Sequence, residues 1–300
     1  MKKKTYLFAL MAMALTLGSC SDNENGIGGE TSKYITVSTS IGNMTRVATD
    51  AKGGQTFEEG DEISVYAWTG DATVAPETRE RVVNNAINKL TNGSWVSTPQ
   101  MLWKNNRDKH YFIGVYPTAA ISDLSAGEYT FDETKQVESD LLVAVNKDGL
   151  SYNVDEQQPV PLTFTHVMAK LVVNLTYKNQ WGGIPTVEKV VVGNAAKEAT
   201  INYLTKVVTP STTAKEDFSL PEITENTKYV SVIIPQEDVK QLTIVIGGKN
   251  FVYDNGTPFK LESGKITTVN LEVGRDEIKL GDVKITDWED GSTFGGEALN

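Results

Sequence analysis

Sulfur, imidazole and positive charge are all scarce in this chain. Cys20 is the only cysteine in 300 residues, so no intramolecular disulfide can form and no thiol cluster can hold a metal. His110 and His166 are the only histidines, and neither lies in HExxH, HxH or another spacing that clamps a metal. Lys and Arg number 28 against 39 Asp and Glu, a formal net charge of −11. That balance argues against nucleic acid and anionic membrane surfaces as partners, since both need a basic footprint. No serine sits in GxSxG, and the pairs Gly53-Gly54, Gly182-Gly183 and Gly247-Gly248 lack phosphate-loop context and read as turns.

The N-terminus is more informative. Lys2, Lys3 and Lys4 precede an apolar run from Tyr6 to Leu17, which ends in Leu17-Gly18-Ser19-Cys20. Twelve residues rise only about 18 Å as a helix, too short for a bilayer core of about 30 Å. A basic start, a short apolar stretch and small residues before the cut describe a secretory signal peptide over 1–19. The cysteine directly after Leu-Gly-Ser resembles the lipobox of bacterial lipoproteins. That resemblance implies a diacylglycerol on the Cys20 thiol and Cys20 as the mature N-terminus; an ordinary signal with a chance cysteine is the alternative. Cleavage removes three lysines and no acid, leaving 25 basic against 39 acidic residues and a net charge of −14. Residues 20–33, with Asp22 to Asn25 and three glycines, read as a flexible tether. The acidic stretch also resembles a surface-export signal of some Gram-negative lipoproteins.

Beyond the tether, structured stretches show period-2 alternation or short β-branched runs bounded by Gly, Asn, Asp or Pro. Ile35, Val37, Thr39 and Ile41 alternate with polar residues, as in a half-buried strand. Similar runs occur at Ile63 to Trp68, Tyr111 to Tyr116, Leu141 to Val145, Lys170 to Tyr177, Val187 to Val192 and Tyr229 to Ile234. Others are Leu242 to Ile246, Phe251 to Tyr253 and Ile266 to Val273. Only Glu77 to Leu90 leans towards helix, and Val82-Val83 weakens that leaning. About fifteen strands at short spacing predict an all-β fold of sandwiches rather than α/β units, and one sandwich uses seven to nine. Two domains follow, 34–158 and 159–300, with the seam at the polar, two-proline segment Asp155 to Pro161.

No catalytic constellation, metal site or cofactor is expected. Asp61-Glu62 and the acids around Trp288 (Asp287, Glu289 and Asp290) match no calcium-loop spacing and read as solvated turn residues. Trp68, Trp95, Trp103, Trp181 and Trp288 could stack on sugars or anchor a core, and sequence does not separate the two.

Several segments together are similar to the fimbrillin-like family of bacterial lipoproteins, the subunits of type V pili. They are Thr45-Arg46, Gly60 to Tyr66, Tyr111 to Pro117, Asp140 to Ala144, Phe164-Thr165-His166-Val167-Met168-Ala169-Lys170-Leu171, Leu261 to Lys265 running into Val269-Asn270-Leu271, and Ile285-Thr286-Asp287-Trp288. The resemblance implies two transthyretin-like β-sandwich domains in tandem, cell-surface location at the outer membrane through lipid on Cys20, and a structural, non-enzymatic role supporting adhesion. It further implies cleavage between Arg46 and Val47 by an arginine-specific protease, and polymerisation by β-strand exchange with other pilin subunits, anchor and tip proteins included. The strand displaced by cleavage would carry Ile35, Val37 and Ile41. A candidate donor strand lies in 276–290, with Ile278, Leu280, Val283 and Ile285; its alternation changes phase at Gly281-Asp282, so a bulge is needed to keep both pairs on one face. Shaft, tip and anchor roles all remain open at this level. A host or bacterial surface receptor is a further expected partner; a monomeric surface lipoprotein that binds a glycan or host ligand is the alternative.

Overall fold

β-Branched and aromatic residues at every second position favour extended backbone, and the chain takes that form almost throughout. The computed structural model describes residues 33–42, 56–153 and 158–288. Cys20, Arg46 and Val47, with the signal segment, nearly all of the tether and the tail beyond Trp288, lie outside the described residues. Among those described there are nineteen strands and two three-residue 3-10 turns. The architecture is all-β.

The first sheet has seven strands in the order β1 (Val37–Ile41), β8 (Val160–His166), β7 (Leu142–Leu150), β5 (His110–Tyr116), β2 (Glu62–Thr69), β3 (Arg81–Thr91) and β4 (Ser94–Thr98). β1 runs parallel to β8, while the other neighbours are antiparallel. Glu77 to Leu90 is a 3-10 turn at Thr78–Glu80 followed by β3, so its helical leaning is not realised. A bulge explains the broken alternation there: the pairing shifts between Val65 and Ala67 of β2, and Asn85 takes φ 55° opposite the shift.

This sheet is buried on both faces. Ile63, Val65 and Ala67 of β2 join Phe112, Leu142, Ala144, Val160, Leu162 and Phe164 in one cluster. Tyr66, Trp68, Ile113, Val115 and Val143 point the other way, into a larger core shared with the rest of the chain. Opposite faces follow from the period of two, and β2 is therefore buried at every position from Ile63 to Trp68, Ser64 included.

Three more sheets complete the fold. One is β13 (Lys215–Leu220), β10 (Val187–Ala196), β16 (Gln236–Ile246) and β17 (Lys249–Leu261). A second is β14 (Glu222–Thr224), β15 (Lys228–Ile233), β9 (Ala169–Tyr177), β18 (Lys265–Val273) and β19 (Ile278–Asp287). The third is β12 (Val207–Pro210), β11 (Glu198–Asn202) and β6 (Gly127–Thr130). Leu171, Val173 and Leu175 of β9, Val269 and Leu271 of β18, and Leu242 and Ile244 of β16 all enter the larger core.

Strand partnership differs from the linear order at the expected seam. β8 begins just after residue 159 but pairs with β1 and β7, so the chain leaves the first sheet at Val167-Met168. β6, from the first half, pairs with β11 from the second. Alternation records which face a residue takes and carries no information on which strand lies alongside.

Candidate strand-exchange surfaces

β1 lies at one edge of the first sheet, and its apolar positions enter the core. Ile35, Val37 and Ile41 are 1%, 6% and 8% exposed and belong to the cluster under Phe164 and Leu162. The Val160 amide donates to Thr36 O at 2.8 Å, and the Gly42 amide to Phe164 O at 2.8 Å. Just before β1 the chain crosses to another partner: the Ile35 amide donates to Met101 O at 2.9 Å and the Trp103 amide to Lys33 O at 3.1 Å. The sheet thus curls until its two edges approach, and Trp95 Nε1 of β4 donates to Thr39 Oγ1 of β1 at 3.0 Å. A groove of about 620 Å³ runs along β1 there, lined by Val37, Thr39, Ile41, Phe57, Leu90 and Trp95 among others.

β19 is an edge strand of the opposite kind. Among the described residues it pairs only with β18, from Lys265 opposite Asp287 to Val273 opposite Ile278. Asn270 pairs with Asp282 and Leu271 with Leu280, so Gly281 is the extra residue of a bulge. That bulge corrects the phase change seen in the sequence. Ile278, Leu280, Val283 and Ile285 stand opposite Val273, Leu271, Val269 and Thr267, all inward-facing, and so form one row on one face. The row is poorly covered: Ile278 and Leu280 are half-buried, while Val283 and Ile285 are 39% and 38% exposed.

Just past β19, Trp288 is buried. Its ring lies flat on His166, with centroids 4.0 Å apart and planes 4° from parallel. Lys170 Nζ sits 5.2 Å from the Trp288 ring centroid, within cation–π range. His166 Nδ1 meets Asp140 Oδ1 at 2.8 Å, while the buried Nε2 has no hydrogen-bond partner among the described residues. Burial draws the Lys170 ammonium down to about 8, with Asp140 opposing the shift and Lys228 adding to it. The sequence marks His166, Lys170 and Trp288 only as parts of two separate motif stretches; their meeting is invisible without the fold.

The other candidates take structural places. His110 is buried, its Nδ1 bonded to Asp108 O at 3.0 Å and its Nε2 accepting the Lys104 amide at 3.1 Å. Asp61 accepts the Glu58 amide at 2.7 Å, Glu62 pairs with Lys89 at 2.9 Å, and Asp287 pairs with Lys265. Trp68 is buried, and Trp95, Trp103 and Trp181 are half-buried against Phe57, Phe112 and Phe251. The tryptophans are packing residues.

These features define an all-β protein of several sheets in which β1 and β19 are edge strands of different sheets. The chain belongs to the fimbrillin-like family, which it matches over residues 45–288. It is 25% identical, over all of its length and 99% of the relative's, to a Bacteroides uniformis protein named "Putative fimbrium subunit Fim1C". Two crystal structures share the fold, both titled "putative cell adhesion protein". The Bacteroides ovatus one has a TM-score of 0.65 at 18% identity, over 85% of this chain and 98% of that one. The Bacteroides uniformis one has a TM-score of 0.64 at 18% identity, over 86% and 100%.

Proposed function

We propose that this protein is a structural subunit of a cell-surface fimbrium, exported as a lipoprotein acylated on Cys20 and assembled by strand exchange. An arginine-specific protease cuts between Arg46 and Val47, and β1 leaves with the N-terminal segment. β19 of a neighbouring subunit, presenting Ile278, Leu280, Val283 and Ile285, fills the vacated slot. The observation that carries this reading is the asymmetry between the two edge strands. β1 and Ile35 just before it seat three apolar side chains in a core cluster, five residues before a cleavable arginine; β19 presents a matching row that its own subunit leaves half exposed.

The energetics support exchange. A fully buried aliphatic side chain contributes about 1.5–3 kcal/mol, so a slot emptied of Ile35, Val37 and Ile41 leaves several kcal/mol unrecovered. It also bares backbone donors and acceptors of β8, a ready template for strand addition. A donor strand restores both terms. The family, and the fimbrial and adhesion descriptions of its relatives, agree with a structural rather than enzymatic role.

The test is limited digestion of the purified precursor with an arginine-specific protease, read by unboiled SDS gels. Ladders of SDS-resistant oligomers that disappear in Arg46→Ala are expected. A cleaved product that stays monomeric at high concentration overturns the proposal.

A further inference from the structure

If β19 is the donated strand, something must keep it on its own subunit until assembly. Its apolar row is half exposed and it has a single strand partner, so the strand itself is weakly held. Trp288 is the exception. It is 8% exposed and fixed from several sides at the end of β19. Its ring stacks on His166, Lys170 lies over it, and its backbone amide donates to Gly264 O at 3.0 Å. The receiving turn is itself tied to the link between β8 and β9: the Gly264 amide donates to Met168 O at 2.8 Å, and Ser263 Oγ to Val167 O at 2.8 Å.

That link continues β8, the strand on which β1 lies. Ile41 pairs with Phe164, and the Gly42 amide donates to Phe164 O at 2.8 Å, two residues before His166. On its other side β8 pairs with β7 only at Leu142 to Ala144, opposite His166 to Phe164. The β7 edge of β8 therefore reaches His166 itself, and the β1 edge ends two residues before it.

We propose that the Trp288 stack on His166 and Lys170 is a latch that retains β19 on its own subunit, seated on β8 so that loss of β1 loosens it. Removing β1 strips β8 of its outer neighbour up to Phe164, and the strand that carries the His166 platform is then held on the β7 side alone. The event that opens the acceptor slot thereby also frees the donor strand of the same molecule. An uncleaved subunit neither accepts nor donates, and premature assembly is suppressed from both ends. The proposal rests on the strand-exchange reading above but has its own observable.

Amide hydrogen exchange of the purified full-length chain, followed by mass spectrometry, tests it. Peptides over 278–287 report β19, and peptides over 171–175 in the middle of β9 report the core. Trp288→Ala should speed exchange in β19 about 10- to 100-fold, from the lost stacking and burial, with β9 unchanged and Trp288→Phe intermediate. Cleavage of the wild-type chain should speed β19 similarly, with Arg46→Ala as the uncleaved control, and should add little in Trp288→Ala. Unchanged β19 exchange in Trp288→Ala overturns the latch, and so does acceleration shared equally by β9. Full additivity of cleavage and substitution overturns the coupling to β1. Should exchange behave as expected while no oligomer ladder forms, the latch stands and the strand-exchange reading fails.

Discussion

Lys170 and Gly264 show how single positions sustain the junction between β8, β18 and the end of β19. Burial draws the Lys170 ammonium down to about 8 in the folded protein, against about 10.4 in an unfolded chain. Between those values the unfolded state binds more protons, so stability rises with pH through that window. Lys170 should contribute a gain of about 1–2 kcal/mol to urea unfolding between pH 7.5 and 9.5, opposed towards the upper end by the tyrosines whose phenol pKa burial raises. Lys206, lowered by burial as well, acts with the same sign, so Lys170→Met should lessen the slope rather than abolish it. An unaltered slope in that variant would show that Lys170 is not the group responsible. Gly264 has φ +67°, and a Cβ there would stand 3.1 Å from His166 O. Gly264→Ala should therefore cost about 1–2 kcal/mol in thermal or urea unfolding.

The two edge strands make opposite predictions. Ile35 is 1% exposed, and Ile35→Ala should destabilise the precursor by about 2–5 kcal/mol in urea titrations. Val283 and Ile285 already face solvent in part, and threonine keeps their β-branching. The double change Val283→Thr with Ile285→Thr should cost about 1 kcal/mol in the monomer yet strongly reduce ladder formation after cleavage. Equal polymerisation by that double variant would argue that β19 is not the donor. Much at this scale was legible in sequence: β1, β2, β5, β9 and β18 lie within one or two residues of the alternating runs. The bulge at Gly281 was legible too, because a phase change in an amphipathic strand requires an extra residue. β7 and β17 extend beyond their apolar runs. They run on through Asn146-Lys147-Asp148-Gly149 and Asp254-Asn255-Gly256, residues that usually mark turns. β3 was masked by the bulge around Asn85, which breaks its period.

At the scale of the molecule, charge opposes assembly. The chain from Val47 onward carries 23 basic and 36 acidic residues, a net −13, so like-charged subunits must approach one another. The screening length falls from about 30 Å at 0.01 M salt to about 8 Å at 0.15 M. Oligomerisation after cleavage should accordingly run several-fold faster at the higher salt, read from gel time courses. A slower rate would indicate that specific ion pairs across the interface dominate instead.

The order of residues alone determined that this chain is all-β, acidic and free of intramolecular disulfides, and which side chains share a strand face. Those properties follow from composition and from the period of two, which are local. Tertiary structure alone decided that β8 joins the sheet of β1, that β6 pairs with β11, and that His166 and Lys170 meet Trp288 from more than a hundred residues away. Strand pairing is a choice among many edges of similar alternation, made by the fit of whole faces around a common core. No stretch of sequence carries that choice by itself.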